Sequence, residues 1–147
     1  MNLKVGTSMI KKFGNAEWSG NLKEGKGRLS SESGALSNLP YGFNTRFEDQ
    51  AGTNPEELIG AAHAACFSMA LSNILGSKDI VPGKIETRSV ISLSMDGGPQ
   101  IVGAHLVVAV QADGDKDVIR ACAEEAETGC PVSKVLDCPI SMELTVL

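Results

Sequence analysis

The pattern of apolar and polar positions divides the chain into a strand-rich first part, one long helix, and a second part that mixes strands with helices. Residues 11–47 are rich in turn-forming residues, and short strand-like runs end near Trp18 and cover residues 28–31. This pattern predicts a small β meander. Residues 43–47 follow Pro40-Tyr41-Gly42 and are predicted to be a further strand or an ordered loop.

The strongest helix signal in the chain begins at Asn54. This side chain can cap free N–H groups, Pro55 suits the first helical position, and Glu57 can close a capping box. The helix is predicted to stop at Gly76. Residues 58–75 carry no formal charge, but their many alanines and the lack of an adjacent Lys/Arg cluster argue against a membrane span. A helix that is apolar nearly all round is expected to be buried on several sides.

A β-hairpin is predicted after the long helix. Residues 84–95 and 101–110 alternate in polarity on either side of the turn Gly97-Gly98-Pro99. Every second residue of each strand is assigned to an inward face. These residues are Ile85, Thr87, Ser89, Ile91, Leu93 and Met95 on the first strand, and Val102, Ala104, Leu106, Val108 and Val110 on the second.

The end of the chain is predicted to contain helices and one more strand. Apolar residues recur at helical spacing over residues 115–128, and Gly129 is the expected C-cap. A short helical piece over residues 131–136 and a strand over residues 140–147 complete the pattern. Strands and helices in separate runs predict an α+β fold.

Composition limits the class of protein. The chain has 147 residues, of which 42% are hydrophobic, and this favours a single globular domain over residues 1–147. A net charge of −5 without a basic stripe argues against a nucleic-acid partner. The N-terminus lacks the apolar run of a secretory signal, which predicts a cytoplasmic protein. Four cysteines in a cytoplasmic chain are more often reactive thiols or packing residues than structural disulfides.

Each cysteine has a structural and a chemical interpretation. Cys66 lies in the middle of the apolar helix, where a free cysteine is most often a small core residue. Cys130 precedes Pro131 at a predicted helix N-terminus, where N–H groups and the helix dipole favour a thiolate, although capping or packing explains it about as well. Cys122 and Cys138 are interpreted as packing residues. The spacings contain no C-x-x-C pair, so the sequence predicts no metal site, and it contains no cofactor-binding motif.

The two histidines are predicted to be structural. His63 lies three residues before Cys66, so a cysteine hydrolase is one alternative, but no orienting group or oxyanion hole can be assigned. His63 is therefore predicted to be buried and hydrogen-bonded across a helix contact. His105 alternates out of the inward face of its strand.

Arg46 and Glu56 are the polar site candidates. An arginine near a cysteine sulfur would stabilise its thiolate, and a carboxylate would fix the guanidinium. Ten residues of straight helix separate Glu56 from Cys66 by ~15 Å. If both serve one site, the helix must break or two subunits must share the site. Taken alone, Glu56 is a first-turn carboxylate that meets the helix dipole.

Several segments closely resemble the OsmC branch of the OsmC/Ohr family of thiol peroxidases, and the similarity covers nearly the whole chain. The matching segments are PYGFNTRFE at 40–48, GTNPEELIGAAHAACFSMA at 52–70 and GCPVS at 129–133, with WSG at 18–20 and GKG at 25–27. The resemblance implies an OsmC-like fold with antiparallel sheets and a long central buried helix. It also implies a cytoplasmic, intertwined homodimer with two active sites at the subunit interface.

The same resemblance implies a redox reaction. Cys66 is the peroxidatic cysteine, Cys130 the resolving cysteine, and Arg46 and Glu56 the motif arginine and glutamate. The expected substrates are organic hydroperoxides, with hydrogen peroxide reduced less readily. A dithiol, for which a lipoylated protein is one candidate, reopens the Cys66–Cys130 disulfide. The alternative is a non-enzymatic dimeric stress protein that binds a small apolar ligand or senses peroxide.

Overall fold

The structure is a computed structural model that describes residues 9–147, and these residues form two units that divide after Asn54. The first unit, residues 9–54, is built on a three-stranded antiparallel sheet in the order β1-β2-β3. The predicted meander is therefore confirmed. Its elements are β1 (Gly14–Ser19), β2 (Lys26–Ser31), β3 (Leu39–Tyr41) and α1 (Phe43–Phe47).

The segment at residues 43–47 is a short helix, so the prediction of a strand or loop is wrong. Thr45 provides the reason. Its hydroxyl accepts from the Gly42 N–H at 2.9 Å and donates to the Gly42 carbonyl at 3.0 Å. A local side-chain bond of this kind competes with strand pairing and closes a helical turn instead.

The second unit, residues 55–147, packs helices against a three-stranded sheet in the order β4-β5-β6. The α+β class and the β4-β5 hairpin are confirmed, and Gly97 and Gly98 take the positive φ angles of its turn. The elements are α2 (Pro55–Gly76), β4 (Pro82–Ser94), β5 (Gln100–Ala112), α3 (Lys116–Gly129), α4 (Pro131–Val135) and β6 (Ile140–Val146).

The last strand differs from the expected antiparallel sheets, because β6 pairs with β5 in parallel. Ala104 lies opposite Ile140, and Val110 lies opposite Val146. A parallel pair needs a crossover connection, and α3 with α4 provides it. After α4 the chain returns close to the start of β5, and Cys130 joins the buried core that the sheet shares with α2 and α3.

A register shift corrects the predicted inward face at the hairpin end. Ser92 pairs with Gly103 whereas Leu93 pairs with Ile101, so Val102 is an extra residue in β5. A bulge of this kind reverses the alternation, and Val102 is 45% exposed although it was predicted to face inward. Met95 is also exposed, because it lies beyond the end of β4. The predicted inward residues of β5 from Ala104 to Val110 are buried, as expected.

The end of α3 differs by one residue from its prediction. Gly129 is the last helical residue, and Cys130 is the C-cap, whose N–H donates to the Ala126 carbonyl. Asp115 caps the other end, since its side chain accepts from the N–H groups of Asp117 and Val118. Cys130 thereby ends one helix and begins the next.

The long helix α2 begins and ends where the sequence predicts. By length and composition it could cross a membrane, but it buries Phe67, Leu71 and Leu75 against the sheet and α3, as a core helix does. It is buried on one face, not on several sides. The opposite face is apolar and exposed, with Met69 75% accessible.

Gly60 sets how closely α2 approaches the sheet. A Cβ at this position would lie 2.8 Å from the Ser89 carbonyl oxygen, a backbone atom of β4. We expect Gly60→Ala to lower the free energy of unfolding by about 1–3 kcal/mol, because α2 must move off the strand. Urea denaturation measures this change. Gly76→Ala on the same helix is the control, since nothing lies within 4 Å of its added Cβ. Equal stability of the two variants would contradict the close-packing explanation.

Candidate active site

Two thiols meet where α2 faces the start of α4. Cys66 is half-buried on α2, Cys130 is fully buried, and both are free cysteines. The two thiols lie close enough to interact electrostatically, and the backbone of Val132 also acts on the Cys66 sulfur. The pair lies within residues 55–147. A half-buried cysteine thus lies beside a fully buried one.

The surroundings of Cys66 favour its thiol form. Burial, the largest cause, raises the pKa of Cys66, and contact with Cys130 raises it further, whereas the N–H of Val132 lowers it. The expected thiolate at Cys66 therefore needs a cation beyond these contacts, since a nearby positive charge is the effect that opposes burial.

Cys130 occupies the helix N-terminus that the sequence predicts for it. It is the N-cap of α4, and its sulfur accepts from the Ser133 N–H at 3.3 Å. The Ser133 hydroxyl lies 3.2 Å from the same sulfur. The local fold thus turns a backbone donor and a side-chain hydroxyl toward this thiol.

His63 is buried and hydrogen-bonded between elements, as predicted. Its Nε2 lies 2.9 Å from the Ser133 hydroxyl on α4, and its Nδ1 lies 2.7 Å from the Ser89 hydroxyl on β4. Burial lowers the pKa of His63, so the ring is neutral near pH 7. It therefore has one N–H to donate and one nitrogen to accept.

Arg46 and Glu56 lie on different elements. Arg46 belongs to α1, and its guanidinium carbon lies 5.2 Å from the centre of the Phe47 ring. Glu56 lies in the first turn of α2, where a carboxylate interacts favourably with the helix dipole. The helix is continuous from Pro55 to Gly76, so Glu56 and Cys66 stay about 15 Å apart along it.

The sequence does not predict three groups around the thiol pair and His63: the Ser133 side chain, the Ser89 side chain and the Val132 backbone. Ser133 stands three residues after the N-cap, where a side chain and its own N–H both return to the capping residue. The polarity pattern places Ser89 on the inward face of β4 but does not indicate its partner. Only the fold shows that both serines reach one histidine.

Cys122 and Cys138 do not belong to the thiol pair. Cys122 is 3% exposed within the core of residues 55–147, which agrees with its packing role. Cys138 is half-buried just before β6. Within residues 9–147, no cluster of three or more His, Cys, Asp or Glu side chains is arranged to hold a metal ion.

Sequence comparison finds close relatives along most of the chain. A family model described as OsmC-like protein matches residues 47–145. The chain is 50% identical over 136 residues to peroxiredoxin OsmC of Escherichia coli (strain K12), which covers 91% of this chain and 95% of that protein. It is 36% identical over 110 residues to organic hydroperoxide resistance protein OhrB of Bacillus subtilis (strain 168), with 74% and 79% covered.

Solved structures agree with this result. The crystal structure of OhrB from Bacillus subtilis matches with a TM-score of 0.70 at 29% identity, covering 90% of this chain and 98% of that one. A protein from Legionella pneumophila described as organic hydroperoxide resistance protein OsmC shares the fold, with a TM-score of 0.71 at 22% identity and 95% and 98% covered. Together with the thiol pair, these matches show that the chain belongs to the OsmC family.

Proposed function

We propose that this thiol-dependent peroxidase reduces organic hydroperoxides, and hydrogen peroxide less efficiently, with Cys66 as the attacking and Cys130 as the resolving cysteine. The observation that carries the proposal is the contact between the two free thiols, one half-buried and one fully buried. A peroxidatic sulfur must be reachable by substrate, and a resolving sulfur must lie beside it. The names of the relatives favour the same chemistry.

The proposed cycle has three steps. The Cys66 thiolate attacks the outer oxygen of the hydroperoxide, the O–O bond breaks, and the alkoxide takes up a proton to leave as an alcohol. Cys66 is left as a sulfenic acid. Cys130 then attacks the Cys66 sulfur, the S–O bond breaks, and water leaves as the disulfide forms. An external dithiol reduces that disulfide by exchange and becomes oxidised itself.

The apolar surroundings of Cys66 favour an alkyl or lipid hydroperoxide as substrate. The exposed side of α2 next to it carries Ala62, Ala65 and Met69. Contact with apolar side chains stabilises an alkyl chain but gives hydrogen peroxide nothing further to bind. This difference is the proposed source of the preference.

Arg46 is proposed to supply the cation that the Cys66 thiolate needs, with Glu56 orienting its guanidinium. The raised pKa of Cys66 supports a cationic partner. Glu56 and Cys66 could serve the same site if the helix were broken or if two subunits shared the site. Helix α2 is not broken between them. The unbroken helix supports the proposal of a site that a second subunit completes.

A homodimer is therefore part of the proposal. The exposed apolar face of α2 is the kind of surface that a subunit interface covers. We place the protein in the cytoplasm, where reducing conditions keep its four cysteines available. Its proposed role there is the response to oxidative and osmotic stress.

The function is tested by treating the reduced protein with cumene hydroperoxide and mapping disulfides by mass spectrometry. We expect a single Cys66–Cys130 bridge, and continued peroxide consumption when a dithiol such as dihydrolipoamide is supplied. One stoichiometric oxidation without turnover under any dithiol would favour a sensor or binding protein. Failure to form the bridge would rule out this cycle.

A further inference from the structure

A line of buried hydrogen bonds leads away from Cys130 into the core. The Cys130 sulfur lies 3.2 Å from the Ser133 hydroxyl, which lies 2.9 Å from Nε2 of His63. On the far side of the ring, Nδ1 lies 2.7 Å from the Ser89 hydroxyl. Cys130, His63 and Ser133 are each no more than 5% exposed. The contacts join α4, α2 and β4, and we call these four residues the relay.

We propose that Ser133 and His63 take the proton from Cys130 when this thiol attacks the Cys66 sulfenic acid, a role that rests on the proposed function. Ser133 touches the reacting sulfur, and His63 acts through it as a positioning residue. With its own proton on Nδ1, donated to Ser89, the ring accepts the Ser133 hydroxyl proton at Nε2. Ser133 in turn accepts the proton of Cys130.

The proton and electron changes balance. The Cys130 S–H proton passes to the Ser133 oxygen as the hydroxyl proton passes to His63, which leaves a thiolate and an imidazolium. An electron pair of the Cys130 thiolate forms the S–S bond to Cys66. The S–O bond of Cys66 breaks, and its electrons leave with the oxygen. The departing hydroxide and the proton held on His63 together make one water molecule, and His63 is neutral again.

Burial of Cys130 is the reason that a relay is required. A cysteine thiol has an ordinary pKa of about 8.5, and the thiolate is the attacking form. A sulfur with no exposed surface exchanges its proton with bases in solvent only slowly near pH 7, where hydroxide is scarce. The neutral state of His63, which its burial favours, leaves one ring nitrogen ready to accept a proton.

In residues 55–147, the titratable side chains of the core outside the relay are cysteines. These are Cys66 on α2, which also interacts with Cys130, and Cys122 on α3. Arg88 and Lys134, the charged neighbours of its two serines in sequence, are both exposed. A change in the pH profile of Cys130 after a relay substitution therefore reports on the relay.

The kinetic test separates the two oxidative steps. Reduced protein is mixed rapidly with cumene hydroperoxide, and sulfenic acid and disulfide are quantified by acid quench and mass spectrometry. We expect Ser133→Ala and His63→Gln to slow disulfide formation about tenfold or more at pH 7, since general-base assistance contributes at least that much. Oxidation of Cys66 stays within about twofold of the parent rate, because neither side chain bonds to its sulfur. The defect shrinks toward pH 9, where hydroxide replaces the relay.

Two further variants separate proton transfer from packing. Ser133→Thr keeps the hydroxyl and is expected to retain most of the resolution rate. Ser68→Ala is the matched control, because Ser68 also joins α2 to β4 through a hydroxyl, at 2.7 Å from Thr87, but lies outside the relay. It is expected to leave both steps unchanged.

A second measurement does not depend on peroxide. In a Cys66→Ser background, the ¹³Cβ signal of labelled Cys130 is followed against pH by NMR. Adding Ser133→Ala is expected to move its titration midpoint upward by about one pH unit, the size of a lost hydrogen bond to a thiolate. If peroxide never oxidises Cys66 in the parental protein, the proposed function is wrong. The titration still shows whether Ser133 acts on the proton of Cys130. The relay proposal is wrong if Ser133→Ala forms the disulfide at the parental rate with the parental pH profile. It is also wrong if the substitution leaves the titration midpoint of Cys130 unchanged.

Discussion

Replacing Cys66 with serine is expected to lower hydroperoxide reduction by roughly 10³-fold or more, to the background of the assay. The thiolate is the nucleophile of the proposed cycle, and a serine hydroxyl is neither ionised near pH 7 nor able to form the sulfenic acid. The substitution removes one sulfur atom and little volume, so the fold should persist. The measurement is steady-state consumption of cumene hydroperoxide with an excess of dithiol.

Two cysteine controls make this result specific. Cys138→Ser replaces a half-buried cysteine outside the thiol pair and is expected to keep parental turnover. Cys130→Ser should consume one equivalent of peroxide as Cys66 becomes a sulfenic acid, and a further equivalent for each later step to the sulfinic and sulfonic acids. Full turnover by Cys66→Ser, or loss of turnover in Cys138→Ser alone, would assign the chemistry to another sulfur.

Replacing Arg46 with methionine is expected to slow reduction by about 10- to 10³-fold at pH 7, because a nearby cation lowers a thiol pKa by about one to three units. Burial already raises the pKa of Cys66, so without the cation the thiol stays protonated at neutral pH. The loss should shrink as pH rises, since hydroxide then produces the thiolate. The pH profile of the second-order rate constant for Cys66 oxidation measures this directly.

Two arginine variants test the charge against the shape of the side chain. Arg46→Lys keeps the charge but not the planar fork, so it should restore part of the thiolate population and less of the rate. Arg28→Met is the matched control, because this arginine donates to the Asn38 carbonyl in the same unit. An Arg46→Met defect that is constant from pH 6 to pH 9 would mean that Arg46 does not act on the ionisation of Cys66.

The sequence predicted the elements well where local signals were strong. The start and stop of α2, the hairpin turn at Gly97 and Gly98, and the helix start at Cys130 follow from residue types whose preferences are set within a few positions. It failed at residues 43–47, where one threonine hydroxyl decides between extended and helical backbone. It also failed at Val102, because a bulge depends on the partner strand.

The sequence predicts the two cysteines of the candidate site but not the hydrogen bonds that surround them. Cys66 and Cys130 stood out by position and by resemblance, while nothing local connects either one to Ser89. That connection exists because Gly60 lets α2 approach β4 closely and α4 packs against α2. Contacts between residues far apart in sequence come from tertiary packing, and the periodicity of one chain does not encode them.

Because both sulfurs belong to the same chain, the proposed catalytic cycle also changes the stability of the fold. A bond between residues 66 and 130 closes a long covalent loop that contains the whole β4-β5 hairpin and α3. A loop of that length removes about 4 kcal/mol of conformational freedom from the unfolded chain at 25 °C. In each turnover the protein would therefore alternate between an oxidised form that is more stable against unfolding and a reduced form that is less stable. The oxidised enzyme, waiting for its reductant, would resist unfolding best during peroxide stress.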